Sequence, residues 1–290
     1  MTRRYYLIHD LEKCIGCHNC LMACKDEHVD NEWPGYSLPQ PRHGHKWINI
    51  HRIERGEYPL IDVKYIALLC RHCDDAPCIK AGGGAIYKRP DGIVIIDPVK
   101  AMGKKELTAT CPYGMILWNE EREVPQKCTL CAHLIDQGWQ KTRCVQACPT
   151  GALRLEYLTK EEMELMINEE KLEVLDPEHN TIPGVYYKNL YLYNKCFITG
   201  SVAVEIEGKT ECAGGAKVIL RQGQEEIAAT TTDCFGDFKF DGLPGNSGRY
   251  IVEVIFAGRE KNTVEFELKS SFHTGTIFLT LAPGTNYREA

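Results

Sequence analysis

The texture of the chain changes at Phe197. Beyond it, apolar and polar residues alternate in short stretches: Ser201-Val202-Ala203-Val204-Glu205-Ile206, Lys217-Val218-Ile219-Leu220, Asp237-Phe238-Lys239-Phe240, Tyr250-Ile251-Val252-Glu253-Val254, Val264-Glu265-Phe266-Glu267-Leu268 and Thr276-Ile277-Phe278-Leu279. Period two sends successive side chains to opposite faces of a strand, so each stretch has one face to bury. Turn residues separate them, as in Asp233-Cys234-Phe235-Gly236 and Asp241-Gly242-Leu243-Pro244-Gly245. This spacing predicts an antiparallel β-sandwich or barrel over 197–290. Upstream, Thr159-Lys160-Glu161-Glu162 reads as a capping box, with Met163, Leu165, Met166 and Ile167 behind it. It predicts a helix ending near Lys171. Residues 172–196 carry Pro177, Pro183 and the run Val185-Tyr186-Tyr187-Lys188-Asn189-Leu190-Tyr191. They read as an extended linker packed along the first domain, its tyrosines making core or interdomain contacts. The expected organisation is a first domain over 1–158, helix and linker over 159–196, and a second domain over 197–290.

Length and composition add exclusions. The chain has 290 residues, and at about 150 residues per domain this fits two domains. An apolar fraction of 43% rules out a disordered chain. A net charge of -6 argues against a nucleic-acid partner. No apolar run is long enough for a membrane span; Tyr65 to Cys70 is about the longest. Arg3-Arg4 is followed by no hydrophobic stretch, so the start does not read as a secretory or twin-arginine signal.

What stands out is 15 cysteines, twelve of them between Cys14 and Cys148. They come in runs, which points to metal in a reducing, cytoplasmic setting rather than to a disulfide scaffold. Cys14, Cys17, Cys20 and Cys24 have the C-x2-C-x2-C-x3-C spacing of bacterial ferredoxins, with Lys25 in place of the usual proline. A second run holds Cys70, Cys73 and Cys78, with Gly82-Gly83-Gly84 where a fourth ligand would stand. A third keeps only Cys111, in Cys111-Pro112-Tyr113-Gly114; Ala101, Lys104 and Leu107 occupy its other ligand positions. A fourth holds Cys128, Cys131, Cys144 and Cys148.

In two-cluster ferredoxins each run gives three ligands to one cluster and its fourth to the other. Applied here, Cys14, Cys17 and Cys20 pair with Cys148; Cys128, Cys131 and Cys144 pair with Cys24; and Cys70, Cys73 and Cys78 pair with Cys111. A fourth ligand set, at 101, 104, 107 and about 82, is missing as a whole, which leaves three [4Fe–4S] clusters with no cluster-region cysteine spare. Read alone, Cys128, Cys131, Cys144 and Cys148 also fit a four-cysteine zinc site; the four-run pattern favours cubanes. Lys13, Arg71, Lys127 and Arg143 flank ligands, where a cation favours the reduced cluster. His18, His43, His45, His51 and His72 are expected at the surface or an interface, and Cys196, Cys212 and Cys234 as free thiols. Neither a nucleophilic triad nor a phosphate-binding loop nor a carboxylate pair is legible, so no catalytic site is expected on this chain.

The four-run layout resembles the iron–sulfur electron-transfer subunits of the dimethyl-sulfoxide-reductase family of molybdenum and tungsten enzymes. Asn31-Glu32-Trp33-Pro34-Gly35-Tyr36, Lys104-Lys105-Glu106-Leu107, Cys111-Pro112-Tyr113-Gly114, Trp118-Asn119-Glu120-Glu121, Gln126-Lys127-Cys128-Thr129 and Val185 to Tyr191 are similar to the branch that acts on polyhydroxylated aromatics. The tail resembles transthyretin-like and carboxypeptidase-regulatory-like β-sandwiches. The resemblance implies an α+β chain, a double ferredoxin-like domain followed by an antiparallel β-sandwich. It implies a large catalytic partner carrying molybdenum or tungsten on bis-molybdopterin guanine dinucleotide, within a transhydroxylase, hydroxylase or dehydroxylase, and leaves room for an oligomer of heterodimers. The regular end Cys148-Pro149-Thr150-Gly151 points to a paralogue acting on another phenol. The competing readings are an assembly subunit whose clusters are idle in turnover, and a subunit of a family reductase with a non-phenolic substrate.

Overall fold

The computed structural model describes residues 2–206, 208–256 and 260–280, so the last ten residues of the expected second domain lie outside the described residues. The chain divides into two compact units: Met1–Ile53 with Lys64–Tyr193, and Glu54–Val63 with Asn194–Ala290.

The first unit is rich in short strands, with few helices. Its central sheet has β1 (Arg4–Asp10) in the middle, β8 (Leu153–Leu158) antiparallel on one side and β9 (Val185–Lys188) parallel on the other. Three hairpins surround it: β2 (Ile48–Glu57) with β3 (Leu60–Leu69), β4 (Ile86–Lys88) with β5 (Val94–Ile96), and β6 (Leu117–Asn119) with β7 (Val124–Gln126). The helices are α1 (Asn19–His28), α2 (Pro77–Ala81), α3 (Ala132–Asp136), α4 (Arg143–Gln146), α5 (Lys160–Glu170) and α6 (Tyr191–Asn194). None is long and apolar enough to cross a membrane. The aromatic run is structural: β9 lies within it, and the fully buried Tyr187 donates its hydroxyl to the Ala67 carbonyl at 3.1 Å. Helix α5 starts on its capping box, with Thr159 Oγ1 accepting from the Glu162 amide and Glu162 Oε2 accepting from the Thr159 amide. It ends at Lys171 in the left-handed region and buries Met163 against Tyr6, Ile8 and Leu172. The main core joins Leu7, Leu11, Ile48, Ile66, Leu69, Ile93 and Ile95 to the side chains of Cys20, Cys24, Cys70, Cys128 and Cys144.

The second unit has two sheets. In one, β10 (Cys196–Ile206) pairs antiparallel with β11 (Lys209–Cys212) and β14 (Asp237–Leu243), and parallel with β17 (Phe272–Thr280). In the other, β12 (Lys217–Gln222), β13 (Glu225–Thr231), β15 (Gly248–Phe256) and β16 (Glu260–Leu268) run antiparallel in the order β13-β12-β15-β16. One apolar core takes Ile198, Val202, Val204, Phe238 and Ile277 from the first sheet and Val218, Leu220, Tyr250, Val252 and Val254 from the second. The tip of the β2–β3 hairpin, residues 54–63, belongs to this unit. There the buried Arg55 guanidinium spans both Asp241 carboxylate oxygens, at 2.8 and 3.0 Å, and Asp62 at 2.5 Å.

Candidate metal centres

The ligand loops are built from conformations that cysteine runs require. Gly16 has φ +66°, and a Cβ there would come within 2.5 Å of the Tyr65 ring, so only glycine lets the first loop close against β3. His18 follows in the left-handed region and opens α1. The helix begins at Asn19, so both Cys20 and Cys24 ride on it, four residues and about one turn apart. Helix α1 is thus already one turn old at Cys24. Leu130 and Cys131 are also left-handed, which turns the Leu130 amide onto Cys128 Sγ at 3.4 Å. The Met115 amide reaches Cys111 Sγ at the same distance.

The thiols act on one another in groups. Burial raises Cys14, and the neighbouring Cys148 and Cys17 raise it further. Burial pushes Cys20 up to about 12, with Cys144, Cys14 and Cys148 adding to it. Burial drives Cys24 far above an ordinary thiol, reinforced by Cys128, Cys131 and Cys144. Cys131 behaves alike, with Cys144 and Cys128 as its thiol neighbours. Cys128 rises to about 12 through burial, Cys144 and Cys70. Cys78 rises to about 11 through burial and through Cys70, Cys111 and Cys73. Cys73 is raised by burial, Cys70 and Cys111. These neighbours include members of the expected sets, Cys14 with Cys17 and Cys148, Cys24 with Cys128, Cys131 and Cys144, and Cys78 with Cys70, Cys73 and Cys111, and they also run between sets, from Cys20 to Cys144 and from Cys128 to Cys70. The second group is wholly buried; the first has Cys17 exposed, and the third has Cys78 and Cys111 half-buried.

Do these residues suit an iron–sulfur cluster? All twelve thiols are free of disulfides, and burial alone would keep Cys20 and Cys128 protonated. Buried, unbridged and mutually repelling thiols are costly unless a metal takes their protons away. Amides aimed at sulfur, as at Cys128 and Cys111, favour the thiolate. Among the described residues no three His, Cys, Asp or Glu side chains converge on one ion-sized point.

Residues 61–158 match the 4Fe-4S dicluster domain family. The pyrogallol hydroxytransferase small subunit of Pelobacter acidigallici is 48% identical over 273 residues, covering 92% of this chain and 96% of its own. This chain belongs to the iron–sulfur electron-transfer subunits of the dimethyl-sulfoxide-reductase family. The thiosulfate reductase electron transfer subunit of Salmonella typhi is 31% identical over 59% of this chain and 85% of its own. The arsenate respiratory reductase iron-sulfur subunit of Shewanella sp. (strain ANA-3) is 28% identical over 63% of this chain and 95% of its own.

In this iron–sulfur subunit the four ligand-flanking cations differ sharply. Lys13 is exposed and lies 4.0 Å from Asp10. Arg71 is buried, paired with Asp176 at 2.8 Å and seated 3.6 Å from the Tyr113 ring centroid. Arg143 pairs with Glu27 at 3.0 Å and Asp26 at 3.3 Å. Lys127 is buried. His72, expected at the surface or an interface, is instead fully enclosed, because its Nδ1 accepts the Val94 amide at 3.0 Å and ties β5 to the Cys70–Cys73 loop. Sequence reasoning missed a second group around the wholly buried thiols. Glu27, three residues past Cys24, meets His133 at 3.0 Å, and His133 stacks on Trp33 at 4.0 Å. Their signal was proximity to ligand cysteines in the chain, which does not show that they converge.

Proposed function

We propose that this chain holds three [4Fe–4S] clusters, one on each thiol group, and passes electrons to or from a large molybdopterin subunit that acts on a polyhydroxylated aromatic. The supporting observation is the order of the thiol groups. Cys144 neighbours Cys20 and Cys148 of the first group, and Cys128 neighbours Cys70 of the third. The wholly buried group thus stands between two that reach the surface, which is the layout of a wire with two ends. Each bound cluster supplies one-electron acceptance and donation; the chain's own residues hold the thiolates, exclude water from the middle site and fix the spacing. The aromatic substrate class rests on the pyrogallol hydroxytransferase small subunit. The same reading makes the first unit a double ferredoxin-like domain and the second a transthyretin-like β-sandwich, in a cytoplasmic complex whose partner carries the molybdopterin guanine dinucleotide.

The test is co-purification with the partner, followed by iron analysis and a dye assay. About twelve iron per chain is expected, with polyphenol turnover by the complex and none by this chain alone. Dye oxidation tied to loss of a hydroxyl group identifies a dehydroxylase; hydroxyl exchange without dye consumption identifies a transhydroxylase. About four iron, or turnover by the isolated chain, would overturn the reading.

A further inference from the structure

We propose that Lys127 is the shared counter-cation of the electron step between the cluster on Cys24, Cys128, Cys131 and Cys144 and the cluster on Cys70, Cys73, Cys78 and Cys111. The inference rests on the ligand sets proposed above. Lys127 is 3% exposed, and among the described residues no carboxylate lies within ion-pairing distance of it. Most other buried or half-buried cations near these loops have one: Arg71 has Asp176, Arg4 and Lys88 share Asp74, and Arg143 has Glu27. Lys25, half-buried beside Cys24, holds the Pro41 carbonyl instead, and it borders only the one thiol group. Its ammonium donates to the Val94 carbonyl at 2.5 Å and to the Cys128 carbonyl at 3.0 Å. Two neutral acceptors satisfy two of its three protons but supply no counter-charge.

A buried ammonium without an anion is costly, as unpaired interior charges are. Among the described residues, the groups near it that can become anions are the thiols of Cys78, Cys111 and Cys128. It stands beside Cys128 of one group and within electrostatic reach of Cys78 and Cys111 of the other. The contacts explain how it reaches both. The lysine folds back on its own neighbour Cys128, and Val94, whose carbonyl it holds, donates its amide to His72 between Cys70 and Cys73. Cys70 and Cys128 are also where the two groups meet. When one electron crosses, one cluster is oxidised and the other reduced, no bond forms and no proton moves. A fixed cation between them stabilises the electron on either side, so it raises both potentials together and leaves the first cluster, on Cys14, Cys17, Cys20 and Cys148, least affected.

The experiment is a redox titration of the purified complex followed by electron paramagnetic resonance, on the wild type and on Lys127→Gln, Lys127→Met and Lys127→Arg. Iron content is measured on the same samples. Expected is full iron in Lys127→Gln or Lys127→Met, with two clusters made harder to reduce by about tenfold in their reduced-to-oxidised ratio, about 59 mV for one electron, and the third unmoved. Lys127→Arg should keep wild-type potentials. Unmoved potentials in a fully loaded neutral variant, or equal shifts in all three clusters, would overturn the proposal. If both neutral variants lose iron while Lys127→Arg stays loaded, the charge is needed to hold the clusters and the proposal stands; if Lys127→Arg loses iron too, only the shape matters and it falls. A wild-type complex without iron–sulfur signals would instead overturn the ligand sets on which it rests.

Discussion

The two units bury comparable cores by different means. The second unit closes two sheets over Val, Ile, Leu, Phe and Tyr, with no cysteine among the fully buried members of its core. The first packs five thiols into its main core, and its loops depart from ordinary backbone. Of the non-glycine residues with positive φ among the described residues, all but Asn246 lie in the first unit, and His18, His72, Leu130 and Cys131 stand in or beside the cysteine runs. An L-residue held left-handed costs about 1–2 kcal/mol. Strained loops and crowded thiols are a net cost until metal occupies them. The second unit has no such debt, so metal dependence should divide the molecule along the same line.

The largest effect expected is from iron removal. Chelation under reducing conditions should abolish amide protection in β1, β8 and α1 while β12 and β15 stay protected, because their ladder and core involve no cluster ligand. Hydrogen exchange read by mass spectrometry checks this. Simultaneous loss of protection in both units would break the comparison.

Next in size is a change confined to the second unit. Arg55→Met removes the buried cation that the half-buried Asp62 and Asp241 share, leaving Lys239 at 3.5 and 2.9 Å from them. Breaking one side of a buried ion network costs roughly 3–5 kcal/mol. The second unit should melt earlier with iron content unchanged; iron loss in this variant would show that the units are not separable in this respect.

An acid effect of about 3 kcal/mol is expected in the first unit. His9 is buried on β1, accepts the Ala67 amide at Nδ1, and burial lowers its pKa from 6.5 to about 4. Its folded value lies below its unfolded one, so the neutral ring's contribution is complete above pH 6.5 and is lost as pH falls toward 4. Protection of β1 should decline across that window in the wild type and less in His9→Gln; equal decline in both would assign the acid sensitivity to other groups.

How much of this was legible in the sequence follows the same division. Six strands of the second unit were visible as apolar stretches, some because one face is buried, as with Phe238 and Phe240 in β14 and Ile277 and Leu279 in β17, and β12 because Val218, Ile219 and Leu220 are all buried. Strands β11 and β13 were not: Glu225 to Thr231 is mostly exposed, so nothing in its pattern marks a face. Nor was the tip of β2–β3 readable as part of the second unit, since Arg55 finds Asp241 some 186 residues away. In the first unit the iron–sulfur character was legible from the cysteine spacing, because most of each expected ligand run is local in sequence. What surrounds the thiols was not local. His72 looked like a surface residue until β5 covered it, and Lys127 looked like any of four flanking cations until burial without a carboxylate set it apart.

The smallest effect tests whether every part of the first unit shares its metal dependence. Helix α5 begins on a reciprocal cap: the Thr159 hydroxyl takes the Glu162 amide at 3.3 Å, and the Glu162 carboxylate takes the Thr159 amide at 2.8 Å. It packs on a satellite core of Tyr6, Ile8, Met163 and Leu172 that contains no cysteine. Thr159→Ala removes one side of the cap and should cost about 1 kcal/mol. Because that core is built as the second unit's is, from apolar contact alone, the loss should appear as faster exchange at the start of α5. Iron content and cluster potentials should not change. If Thr159→Ala lowers iron content, the satellite core supports the cluster loops through Tyr6 and Ile8 on β1, and the boundary of metal dependence takes in the whole first unit. If only α5 frays, the boundary runs inside that unit, between a core made of thiols and one made of side chains that need nothing bound.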